Sequence, residues 1–366
     1  MERFEIVIVG GGVIGCAIAR ELARSGARVC LLERGRIGGE SSGAAAGMLG
    51  VQSENEDELL LQLGAESRRM YPSTLAALET ETAVSVEFWR QGTLYCCFTE
   101  DDEVRLEDRR RRQQATGLDS RWLTNRQTRA REPALSARIR AAVLFEQDGR
   151  VANGALTAAY AEAARAAGGT VREAVLVRRV VVEGGRVAGL ETDNGPLGCD
   201  VLVNAAGAWA ATLGVGIPLP VTPVRGQIVA VRSERPLFRH AIYSAHGYAV
   251  TRRDGSVLLG STREAAGFEK RITVGGVQQI VQSALELSPA IGALAFREAW
   301  AGLRPATPDG LPIVGRDPSV EGYYVATGHY RNGILLAPIT AAMIAALLRG
   351  EQPRWAERLR PDRFAA

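Results

Sequence analysis

The chain predicts an α/β (α+β) fold: a Rossmann-like nucleotide domain and a mixed β-sheet domain, each discontinuous in sequence. Three observations carry this. The apolar run Phe4–Val9 stops at Gly10-Gly11-Gly12-Val13-Ile14-Gly15 and gives way to a helical pattern from Cys16 to Arg24. A second apolar run, Val29–Leu32, ends on Glu33, eighteen residues past Gly15. Strand and hairpin patterns then dominate 177–199 and 221–263, where a dehydrogenase would continue to alternate strand and helix.

The first unit reads as strand, glycine turn and helix. Gly10 makes the tight turn, Gly12 lets backbone approach a pyrophosphate, and Gly15 lets the helix pack on the strand. The helix N-terminus offers free N–H groups and partial positive charge to phosphate. Glu33 is placed to accept bonds from both ribose hydroxyls and would repel a 2′-phosphate, so FAD or NAD is expected rather than NADP. The small-residue loop Gly38–Gly50 follows. It lets backbone approach a flat ligand, and Ser41 and Ser42 can bond phosphate or ribitol oxygens.

Residues 54–80 read as a helix with Leu59, Leu60, Leu63 and Met70 on one side, and 85–100 as strands. A charged helix is expected near 101–115, with Arg109–Arg112 as its solvated face. An alanine-rich helix spans 154–167. Val177–Val182, Val187–Glu191 and the run into Cys199 form an antiparallel meander, and Asp200–Trp209 is a return strand ending on small residues. That layout is a flavoprotein's rather than an NAD dehydrogenase's. Pro223–Val231, Ala241–Thr251 and Ser256–Ser261 read as strands, 274–287 as a helix, and Asn332-Gly333-Ile334 opens a last apolar helix. The expected division is 1–84, 142–220 and 304–366 for the nucleotide domain, and 85–141 with 221–303 for the substrate domain.

Composition narrows the class. The 366 residues are 46% hydrophobic and 23% charged, as in ordinary globular proteins. A net charge of +3 excludes a nucleic-acid binder of the usual basic kind. No basic segment and cleavage site precede the first strand, and no apolar run reaches spanning length, so neither a signal peptide nor stable membrane association is expected. Cys16, Cys30, Cys96, Cys97 and Cys199 lack metal spacing, and Cys16 and Cys30, in the dinucleotide core, read as reduced, small apolar residues. With only His240, His246 and His329 present, no metal site is expected. The expected location is cytoplasmic.

Several runs occur in one order: the glycine turn, Ser41–Gly50, Thr222-Pro223-Val224-Arg225-Gly226-Gln227, Arg304–Gly315 and Ala326–Pro338. Over nearly its whole length the chain thereby resembles the D-amino-acid oxidase superfamily of FAD-dependent amine oxidases, and within it the glycine oxidases of thiamine biosynthesis. The Ala44–Gly50 and Gly328–Pro338 runs are the most specific. The resemblance implies non-covalent FAD held by Gly10, Gly12, Ile14, Gly15, Glu33, Ser41, Ser42, Ala45, Gly47, Met48, Val175, Ala206, Gly207, Trp209, His329, Asn332, Gly333 and Ile334. It places the substrate-carboxylate clamp on Arg304, the tyrosine over the substrate on Tyr248, and a further active-site cation on Arg331. Gly50, His246 and Arg263 are additional candidates for substrate binding.

The chemistry is consistent with those roles. A carboxylate is best held by the planar fork of an arginine. Hydride leaves the substrate Cα for flavin N5, pushed by the lone pair of the neutral amine, so no strong base is required. O2 then accepts the electrons as hydrogen peroxide. Glycine, N-substituted glycines and small D-amino acids are the expected substrates. Alternatives are a dicarboxylic N-carboxymethyl amino acid, or a D-amino-acid dehydrogenase with another electron acceptor. A homo-oligomer is expected.

Plainer roles stay open for each side chain: a structural ion pair for Arg304, packing for Tyr248 and Trp209, flavin-edge anchoring for Arg331, and backbone bonding for His246 and His329. Arg263 stands where glycine oxidases carry an apolar residue. Pointing inward it would read a second carboxylate; the expectation is that it faces solvent beside Glu264.

Overall fold

In the computed structural model, which describes residues 1–364, the N-terminal unit forms as its pattern dictates. Strand β1 (Glu2–Val9), helix α1 (Val13–Arg24) and strand β2 (Val29–Leu32) make a parallel βαβ unit, with Ile6–Val9 paired to Val29–Leu32. Helix α1 is apolar nearly all round because it lies between two others, Asn153–Ala166 and Gly333–Leu348. Gly15 permits this approach, since a Cβ there would stand 1.9 Å from the Gly10 carbonyl oxygen.

The first sheet orders Val177–Glu183, Arg186–Thr192, Gly195–Asn204, β1, β2 and Thr170–Arg172. The first half of Gly195–Asn204 pairs antiparallel with its hairpin partner, and the second half pairs parallel with Tyr323–Thr327. The second sheet orders Ala295–Ala306, Thr222–Arg232, Ser256–Gly260, Tyr248–Thr251, Ala241–Tyr243, Thr93–Cys97, Ala141–Phe145 and Arg121–Thr124. A small third sheet joins Met48–Leu49, Gly149–Val151 and Phe88–Trp89.

Four expectations need correction. The divisions at 141/142 and 303/304 fall inside strands of the second sheet, which takes Ala141–Phe145 and Ala295–Ala306 whole. The helix expected over 54–80 is a short turn, Val51–Glu54, followed by Glu58–Thr82, whose N-cap Asp57 accepts from the Leu60 N–H at 3.0 Å. Ala241–Thr251 is a hairpin rather than one strand, with Tyr243 opposite Tyr248. Finally, the charged helix Glu100–Ala115 starts on a Thr99/Asp102 capping box, but Arg109 is not on a solvated face. It is 8% exposed, and it donates to the carbonyls of Gln52 and Asn55 while lying over the Tyr95 ring.

All five cysteines are buried and unpaired. Burial pushes the Cys30, Cys97 and Cys199 thiols up to about 12, so none of these is a thiolate at neutral pH. No helix among the described residues is long and apolar enough to cross a membrane.

Candidate active site

A cleft of ≈ 1180 Å³, solvent at its mouth included, runs across the C-terminal ends of β1 and β2. It is walled largely by backbone and small residues. Gly10, at φ +115°, occupies a conformation side chains avoid, and a Cβ there would meet the Ala205 oxygen at 2.4 Å. The N-cap of α1, Gly12, has no side chain to cap the helix, and the Ser42 hydroxyl from the neighbouring loop accepts from the Val13 N–H at 2.9 Å. Glu33 is buried at the end of β2, where its carboxylate accepts from the Gly11 and Gly35 N–H groups at 2.7 and 2.8 Å. At one end Arg34 lies 3.7 Å from the centre of the Trp209 ring. At the other, Gly333 and Ile334 line the cleft at the first turn of Gly333–Leu348, which also lacks a side-chain cap. A long cleft, a helix start at each of two places whose N-cap residue makes no capping bond, and a carboxylate between them fit a dinucleotide such as FAD.

A second pocket of ≈ 630 Å³ shares Ser41, Ala45, Tyr330, Arg331 and Ile334 with the first. Side chains carry its chemistry. Arg304 projects from Ala295–Ala306 and lies on the backbone of the neighbouring strand, where a Cβ on Gly226 would stand 2.2 Å from its guanidinium. It donates to the Thr262 carbonyl at 3.1 Å and the Ser261 hydroxyl at 2.7 Å. Among the described residues it has no carboxylate partner, and burial pulls its pKa down. Tyr248 and Tyr243 stack with centroids 5.3 Å apart. Burial holds both phenols above their usual range, so they are neutral donors.

Glu54 completes this pocket. Its side chain is 7% exposed, pairs with the Arg331 guanidinium at 2.5 Å, and accepts from the Tyr243 hydroxyl at 2.5 Å. Burial alone would lower the Arg331 pKa, but Glu54 and then the tyrosines hold it above its ordinary value.

The predicted residues divide between these two spaces. Gly10, Gly12, Ile14, Glu33, Ser41, Ser42, Ala45, Val175, Ala206, Gly207, Trp209, His329, Gly333 and Ile334 line the long cleft. Gly47, Met48, Tyr248, Arg304 and Arg331 line the second pocket. Gly15 lies behind the cleft as a packing contact. Asn332 turns away to exchange amide bonds with Asn55 at 2.8 and 3.2 Å. His329 bonds the Thr340 hydroxyl at 2.9 Å rather than backbone, and burial lowers its pKa to about 3.

Three candidates for substrate binding fall outside. Gly50 caps the Val51–Glu54 turn and lines neither space. His246 sits in the turn between the hairpin strands, largely exposed and 3.3 Å from Glu286, because the chain reverses where one continuous strand would have carried it alongside Tyr248. Arg263 is exposed and also lines neither space.

Glu54, Tyr243, Ser261 and Gly226 are pocket residues that the sequence reading missed. Gly226 had a legible signal, a glycine inside the apolar strand 222–232, which marks close approach of another group. The other three had none, because their partners are remote in sequence.

Comparison with known proteins agrees with this geometry. The model of the DAO family, described as FAD dependent oxidoreductase, matches residues 5–347. A glycine oxidase of Geobacillus kaustophilus (strain HTA426) is 37% identical over 96% of this chain and 94% of its own. The crystal structure of glycine oxidase from Geobacillus kaustophilus superposes with a TM-score of 0.96 at 35% identity, covering 100% of both chains. That of iminodiacetate oxidase from Chelativorans sp. BNC1 gives 0.89 at 26% identity, covering 98% of this chain and 99% of that one. The chain belongs to the DAO family of FAD-dependent oxidoreductases.

Proposed function

We propose that this FAD-dependent amine oxidase acts on glycine, N-substituted glycines and small D-amino acids. Each is oxidised to an imine, which hydrolyses to glyoxylate or the corresponding keto acid and releases the amine, with hydrogen peroxide as co-product. The observation that carries this reading is Arg304, a desolvated cation held by two oxygen acceptors, with no carboxylate partner among the described residues, in the pocket beside the nucleotide cleft. Such a fork leaves donors free for a carboxylate and fixes its orientation.

The neighbouring residues support the same chemistry. Tyr248, neutral and buried, offers an O–H donor beside the clamp. Histidine is absent among the described residues that line the pocket. Loss of the Cα–H as hydride is driven by the amine lone pair, so the protein's task is to bind the neutral amine and align the Cα–H rather than to remove a proton from carbon. FAD, when bound, supplies the two-electron acceptor that O2 regenerates. The uncapped start of Gly333–Leu348 favours negative charge at that end of the cleft.

Arg263 faces solvent, so the dicarboxylate alternative loses the residue on which it rested. A homo-oligomer is part of the same proposal, and size-exclusion chromatography tests it. Cytoplasmic residence is part of the same proposal, tested by cell fractionation.

The decisive experiment is a peroxide assay over glycine, sarcosine, D-alanine, D-proline and N-carboxymethyl amino acids. The protein should purify yellow and release FAD on acid precipitation. Peroxide should form from glycine and sarcosine; a colourless protein, or a yellow one that none of these substrates reduces, would overturn the reading.

A further inference from the structure

We infer that Glu54 sets the charge selectivity of the substrate pocket: by neutralising Arg331 it leaves Arg304 as the single unpaired cation, so the pocket takes a monocarboxylate and discriminates against a dicarboxylate. The inference rests on the function proposed above.

Two arginines and one glutamate line the pocket, and the buried phenols of Tyr243 and Tyr248 are neutral, so one positive charge remains for the ligand. Without Glu54, two cations would face one cavity, each lowering the cost of bringing in a second anion. The pair is largely withdrawn from solvent, with the Arg331 side chain 21% and the Glu54 side chain 7% exposed, and removing one partner frees the other from its compensation.

Glu54 is also held where it is needed. The carbonyls of Gln52 and Asn55, on either side of it, accept from Arg109, and both accept from the Gln113 amide at 3.0 Å. Asp148 accepts from the Gln52 and Ser53 N–H groups at 3.2 and 2.9 Å. Tyr243 fixes the carboxylate from the second sheet. The buried end of an arginine-rich helix thus serves as a clamp on the turn that presents the counter-ion.

The test uses the FAD-loaded enzyme and two ligands that carry no amine, acetate and malonate, with binding read from the change in flavin visible absorption. In the wild type malonate should bind no more tightly than acetate. In Glu54→Gln the malonate-to-acetate affinity ratio should rise at least about tenfold, the worth of one charge-assisted bond to a carboxylate. The ratio of kcat/KM for iminodiacetate over glycine should rise with it. Adding Arg331→Met to Glu54→Gln should cancel the gain. A ratio within about threefold of wild type in Glu54→Gln overturns the inference.

Should that variant lose FAD, Arg331→Met alone decides. It leaves Glu54 uncompensated, so malonate should weaken about tenfold relative to acetate, and an unchanged ratio is again fatal. A wild type that oxidises glycine and binds acetate, with unmoved ratios in the variants, refutes only the role of Glu54. A wild type that does neither refutes the functional reading beneath it as well.

Discussion

The nucleotide cleft and the substrate pocket touch along Ser41, Ala45, Tyr330, Arg331 and Ile334, yet they are made in different ways. The cleft is built from backbone: glycines that admit close approach, two helix starts whose N-cap residues make no capping bond, and one acid at a strand end. The pocket is built from side chains, Glu54, Tyr243, Tyr248, Arg304 and Arg331, delivered by a short turn, both strands of a hairpin, an edge strand and the loop before the last helix. The small-residue segment between them is fastened to the second sheet. Ser41 donates to the Leu303 carbonyl, Trp300 Nε1 to the Ala44 carbonyl at 3.0 Å, and Arg252 to the Ala46 carbonyl at 2.9 Å. Backbone recognition therefore fails by steric intrusion, which is a folding defect. Side-chain recognition fails by loss of charge, which is a kinetic defect.

The largest effect should come from intrusion into the backbone turn that lies behind the cleft and supports it. Gly15→Val places its added atoms against the Gly10 carbonyl, where even a Cβ would stand 1.9 Å away. A cost of about 3 kcal/mol or more is expected. The soluble yield and the 450 nm to 280 nm absorbance ratio should both collapse. A yellow, normally stable variant would show that this turn tolerates bulk and would erase the contrast.

Arg304→Ala should instead leave FAD bound and stability nearly intact. It should lower kcat/KM for glycine by about ten- to a hundredfold or more, from the loss of roughly 1.5–3 kcal/mol of charge-assisted bonding. Gly226→Ala should produce the same kinetic signature, because its methyl group would occupy the space of the guanidinium. Unchanged kinetics in Arg304→Ala would reduce that residue to a structural role.

His329 sharpens the comparison from the stability side. Its folded pKa of about 3 lies below the ordinary 6.5, so below pH 6.5 the unfolded chain binds the extra proton. Stability is therefore unaffected by this group above pH 6.5 and is lost as pH falls towards 3, at about 1.4 kcal/mol per pH unit. By pH 5 that amounts to roughly 2 kcal/mol. The Tm drop between pH 7 and pH 5 should be smaller in His329→Gln than in the wild type. Equal drops would show that the imidazole is solvated.

The smallest effect should be Arg263→Met. An exposed side chain outside both spaces should change glycine oxidation and stability by no more than about 0.5 kcal/mol. A selective loss of activity on diacids would return Arg263 to the pocket.

The amino-acid sequence by itself determined the βαβ unit, the meander that follows it, and the segment that lines the cleft. These depend on short-range rules: the strand and helix periods, the glycine conformations that a tight turn demands, and the acid at the end of β2. Arg304 and Tyr248 were legible only through the resemblance, since an arginine in a strand has many uses. Tertiary structure alone decided that His246 turns outward at the hairpin, that Arg109 reaches inward, and that Asn332 pairs with Asn55. It also decided that Glu54 meets Tyr243, 189 residues away, and through Arg331 fixes the charge of the pocket. The physical reason is that a backbone turn is specified by its own few residues. A buried charge is specified by its partner, and only packing determines which remote segment supplies one.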